Sequence, residues 1–78
     1  MKNDIYADSR ELAVILEKKG LHFYHENIID AIEYSSTATE ILMKLRFILK
    51  KIDIDNSKLN KSDKNLIEKI LNEINDSP

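Results

Sequence analysis

Residues 37–52 read TATEILMKLRFILKKI, and this stretch decides the fold class. Thr37 stands where a helix N-cap hydroxyl is wanted. Glu40 follows three residues later, the spacing at which a carboxylate reaches back to close a capping box. Wound at about 100° per residue, Ile41, Leu42, Leu45, Ile48, Leu49 and Ile52 form a broad apolar stripe. Met43 and Phe47 lie on the opposite side, one turn apart. A helix that is apolar on two sides is buried between neighbours or has a second contact to make. The spacing predicts a helix over 38–52, at the centre of the core.

Three further helices follow when the same reading is carried outward. The first is expected over 4–19, with Ile5, Ser9, Leu12 and Leu16 on one arc, Ala13 and Ile15 at its edges, and Gly20 placed to end it. The second is expected over 23–34, with Tyr24, Ile28, Ile29, Ala31 and Ile32 on one face, opposite Glu26, Asp30 and Glu33. Asp53 to Leu59 reads as a loop, anchored by Ile54 and Leu59. Asn60 then caps a fourth helix over 61–75, with Asp63 in its first turn and Leu66, Ile67, Ile70, Leu71 and Ile74 at helical spacing. Short links between consecutive helices favour antiparallel neighbours, so the expected fold is an all-α, compact four-helix bundle. It forms one domain over 1–78, too short a chain for two cores.

Composition agrees with that architecture. Hydrophobic residues make up 42% and charged residues 33%, the mixture of a folded domain rather than a disordered tail. One Gly and one Pro leave little material for tight hairpins. Cysteine is absent, which excludes disulfides, thiolate metal sites and a cysteine nucleophile. No apolar run approaches the roughly 20 residues that span a bilayer, and Met1–Tyr6 lacks the apolar stretch of a signal peptide. The expected location is the cytoplasm. The abundance of Lys, Ile and Asn, whose codons are AT-rich, points to a bacterial source. The net charge is −2, with −3 on residues 1–39 and +1 on 40–78. That balance does not favour nucleic acid as a partner.

Several constellations invite a chemical reading that their spacing does not sustain. His22, His25 and Glu26 are close in sequence, yet His25 falls between Ile29 and Ile32 on the apolar face, where one ring nitrogen is expected to be satisfied and no coordination shell completes itself. Asp53, Asp55 and Ser57 open like a calcium loop, but Lys58 replaces the required Gly and Lys64 the bidentate Glu. Ser35, Ser36, Thr37 and Thr39 offer hydroxyls to an anion at a helix N-terminus, a role that capping already explains. No nucleophile has a base and an orienting carboxylate near it in sequence, so no enzyme, metal or cofactor is expected. Lys44, Arg46, Lys50 and Lys51 surround Met43 and Phe47 on the wheel. Long cationic stems beside a core helix are one account of them. A mixed patch that anchors a partner is the other.

From Ser36 to Phe47 the run STATEILMKLRF resembles the signature of a small family of bacterial helical domains. In that family a Ser/Thr-rich turn leads to Thr-Glu-Ile, then Leu-Arg and an aromatic, which Thr39, Glu40, Ile41, Leu45, Arg46 and Phe47 match. The resemblance implies an independently folding domain and carries no activity with it.

The leading expectation is a non-enzymatic protein-interaction module of a bacterial cytoplasm, with self-association, as a homodimer, one form of that role. Met43, Phe47, Arg46 and Lys50 are the expected partner-binding residues. One alternative is a small immunity protein or antitoxin that neutralises a toxin through the acidic Glu26, Asp30 and Glu33. Another is a nucleic-acid-binding accessory protein using Lys44, Arg46, Lys50 and Lys51.

Overall fold

Helix α1 spans Ile5–Lys18, α2 His22–Tyr34, α3 Ala38–Ile54 and α4 Lys61–Asp76. The structure is a computed structural model that describes residues 5–54 and 58–76, the side chains of Asp53, Ile54 and Asp76 excepted. The expected all-α four-helix bundle is the one that forms, and no helix end departs from its sequence-based position by more than two residues. The largest difference is at α3, which continues through Asp53 and Ile54 because nothing after Ile52 breaks a helix. Of the two loop anchors, Leu59 is buried, while the side chain of Ile54 lies outside the described residues.

Each boundary has a local cause. Gly20 adopts φ +81°, the left-handed conformation that a Cβ disfavours, and the chain closes α1 around it. The Gly20 N–H donates to the Glu17 carbonyl at 3.0 Å and the Leu21 N–H to the Leu16 carbonyl at 2.8 Å, the paired bonds of a Schellman motif. Leu21 then packs against the core. It is also the N-cap of α2, which therefore starts without a side-chain cap. Helix α3 is capped at Thr37 as its sequence predicts, with the Glu40 N–H donating to Thr37 Oγ1 at 3.1 Å, but Glu40 Oε1 reaches one residue further back and accepts from the Ser36 N–H at 2.9 Å. Helix α4 has the reciprocal pair. The Asp63 N–H donates to Asn60 Oδ1 at 2.9 Å, and Asp63 Oδ2 accepts from the Asn60 N–H at 3.2 Å.

Side-chain contacts between helices show their directions. Arg10 with Glu33 and Glu17 with His25 run α1 and α2 antiparallel. Asp8 with Lys69 and Lys19 with Asp63 do the same for α1 and α4. Among the described residues each helix touches its two neighbours in the ring α1–α2–α3–α4, and the diagonal pairs do not approach. The radius of gyration is 11.5 Å, close to the roughly 11–12 Å of a compact chain this long.

One core fills the ring. Leu12, Leu16, Ile28, Leu45, Leu49 and Ile52 are fully buried in it, with Ile67 and Ile70 from α4. These are the apolar stripes read from the sequence, turned inward. Ser9 is also fully buried, and its Oγ makes no hydrogen bond among the described residues. The expectation that α3 is the centre of the core is not met. The helix occupies one corner, flanked only by α2 and α4, because four amphipathic helices of similar length close a ring around one shared core. Its second apolar side, carrying Met43 and Phe47, stays in solvent. No described helix is long and apolar enough to cross a membrane.

Candidate functional site

The antiparallel pair α2 and α3 leaves a groove of about 810 Å³ on the outer surface of the bundle. Helix α2 contributes Phe23, Asn27, Asp30 and Tyr34 along its outward side, with Tyr24 and Ala31 deeper. Helix α3 contributes Met43, Lys44, Phe47 and Lys51, with Ile48 deeper. Ala31 and Ile48 are buried and form the floor. The small methyl group of Ala31 leaves the space between the helices open there.

The walls are unusually apolar for surface. Phe23 is 68% exposed, Tyr34 76%, Met43 67% and Phe47 64%, and these four are the large apolar side chains more than half exposed among the described residues. All four line this one groove. Taking about 200 Å² for a fully exposed side chain of this size, they leave on the order of 500 Å² of apolar surface in contact with water. The ring of Phe23 meets Tyr24 edge-on at 5.7 Å, and the Lys51 ammonium stands 5.0 Å over the ring of Phe47.

Of the four expected contact residues, Met43 and Phe47 stand in the groove wall. Arg46 and Lys50 are exposed and do not line it. Lys44 and Lys51 take that place. Lys44 reaches Glu40 at 3.2 Å, and with the Ser36 N–H it holds the Glu40 carboxyl below its ordinary value of 4.5, the backbone donor contributing most. Sequence reading missed Phe23 and Tyr34, which entered only as the ends of a helix. The signal was present: they lie eleven residues apart, about three full turns, on a side of α2 that carries no other apolar residue.

The remaining constellations find ordinary uses. His25 sits between α1 and α2, with Nδ1 2.7 Å from the Ala13 carbonyl and Nε2 3.4 Å from Glu17 Oε2. A carbonyl only accepts, so Nδ1 carries a proton and donates. His22 is exposed. No three His, Asp or Glu side chains among the described residues are placed to hold a metal. Of the calcium-like loop, Asp55, Ser57 and the Asp53 side chain lie outside the described residues. Of the acidic trio, Glu33 pairs with Arg10 at 3.6 Å and Asp30 lines the groove, leaving Glu26 on the outer rim of α2.

No protein-family model matches the chain, and comparison with curated proteins and with solved structures gives no match.

Proposed function

We propose that the protein is a non-enzymatic interaction module that binds another protein through the groove between α2 and α3. The observation that carries this reading is the gathering of Phe23, Tyr34, Met43 and Phe47 at one place on the surface. Exposed apolar side chains scattered singly need no explanation, whereas a contiguous patch rimmed by charge is what an interface core looks like before its partner arrives. Aromatic residues and methionine at its centre, with lysines at its edge, match the composition of such surfaces.

The test is the double substitution Met43→Ser with Phe47→Ser. Both side chains are about two-thirds exposed, so the helical circular dichroism and the cooperativity of unfolding should be those of the wild type. Association should be lost, whether read as a protein retained from a host extract by the wild type alone or as self-association. A wild type that forms no complex sensitive to these substitutions would overturn the reading.

A further inference from the structure

The outer face of the α2–α3 pair divides by charge into two halves. On α2, Glu26 and Asp30 lie on the rim or beside the groove, while Glu33 is already paired with Arg10 of α1. On α3, Arg46, Lys50 and Lys51 carry positive charge, and Lys44 is already paired with Glu40. The apolar quartet lies between. Glu26 and Asp30 on one half, and Arg46 and Lys50 on the other, have no ion-pair partner among the described residues, although all four are exposed.

We propose that the occupant of this face is a second copy of the same chain, related by a two-fold axis parallel to the helices; the proposal rests on the interaction reading above. Such an axis, lying in the plane between two facing copies, sets α2 of each over α3 of the other. It therefore lays each acidic half on a basic half, and the aromatic and methionine side chains of both copies meet in the middle. The other two-fold choice, an axis across the helices, sets α2 on α2 and α3 on α3, acid against acid and base against base. Like-charge juxtaposition disfavours it. Charge thus selects one orientation, and the isologous contact closes on itself without leaving a sticky edge.

The four side chains expose on the order of 500 Å² per copy in all, so covering them completely in both copies would remove at most about 1,000 Å². Stable, specific interfaces begin at about 1,200 Å² in total, so the charged rims must take part in the contact. Arg46 and Lys50, outside the groove within one copy, become rim contacts to Glu26 and Asp30 of the second.

Sedimentation equilibrium on the full chain tests this. The wild type should show a two-chain mass at high micromolar concentration and dissociate more readily as salt rises. A variant with Arg46→Glu and Lys50→Glu should lose affinity by more than about tenfold, and so should one with Glu26→Lys and Asp30→Lys, because each places like charges together. An equimolar mixture of the two variants should regain the two-chain mass, since the reversed halves complement each other. A monomeric wild type, charge variants that associate as before, or a mixture that stays monomeric would overturn the second copy as occupant. If a host protein is still captured in a Met43- and Phe47-dependent manner, the interaction reading survives that failure. If nothing is captured, both fall.

Discussion

Lys19→Met should destabilise the domain far more than loss of an ordinary surface charge, because of what it leaves behind. Asp63 is only 5% exposed, and its Oδ2 accepts from Lys19 Nζ at 2.6 Å and from the Asn60 N–H at 3.2 Å. The same ammonium lies 3.4 Å from the Lys58 carbonyl, so one side chain joins the end of α1, the start of α4 and the link before it. Methionine keeps most of the stem and removes the charge. An exposed ion pair contributes about 0–1 kcal/mol. Stripping one partner from a fully buried pair costs about 3–5 kcal/mol. The side chains here are 27% and 7% exposed, between those limits, and a hydrogen bond to a charged group contributes about 1.5–3 kcal/mol, so a loss of about 2 kcal/mol follows. For a domain of this size that is a fall in Tm on the order of 10 °C. Urea denaturation of Lys19→Met, Asp63→Asn and the double variant, followed by circular dichroism, measures the loss and the coupling. Arg10→Met is the comparison. Its partner Glu33 is 3.6 Å away and both side chains are about half exposed, so removing it should cost no more than about 0.5 kcal/mol. If Lys19→Met costs no more than Arg10→Met, the reasoning from burial is wrong.

Two other perturbations probe single groups. Ser9→Ala should raise stability by about 1 kcal/mol, since it removes a fully buried hydroxyl that makes no hydrogen bond among the described residues and improves helix propensity; a loss in urea midpoint would refute this. Glu40→Gln should reveal a pH-dependent contribution. The folded carboxyl is held below 4.5 by the Ser36 N–H and by Lys44, so its stabilising charge is fully present above the unfolded value and lost as pH falls through the folded one. Thermal melts of wild type and variant should differ above about pH 4.5 and converge at lower pH, and a gap that stays constant throughout would contradict the assignment.

Much of the fold was legible in the chain because helices are local objects. The capping pair Thr37 and Glu40, the positive-φ Gly20 and the Asn60–Asp63 pair each act within a few residues, so their spacing alone announces them. The buried stripes were equally plain, since the residues that share one side of a helix are set by its period. Half of the candidate site was legible too: Met43 and Phe47 stood out as apolar residues on the wrong side of α3. Phe23 and Tyr34 did not, because each is unremarkable until α2 is laid beside α3. That Arg46 and Lys50 stand outside the groove was not legible for the same reason. The wheel shows which residues flank Met43 and Phe47, but only the position of α2 tells which flank faces the groove.

The order of residues therefore determined, by itself, where each helix starts, stops and turns its apolar side, since those choices depend on backbone geometry over three or four neighbours. The tertiary arrangement alone decided that α3 takes a corner instead of the centre, that Lys19 reaches a buried carboxylate far along the chain, and that aromatics from two helices share one groove. Those outcomes depend on how four cylinders of similar length divide a single core, and a pattern written along one cylinder carries no information about what lies next to it.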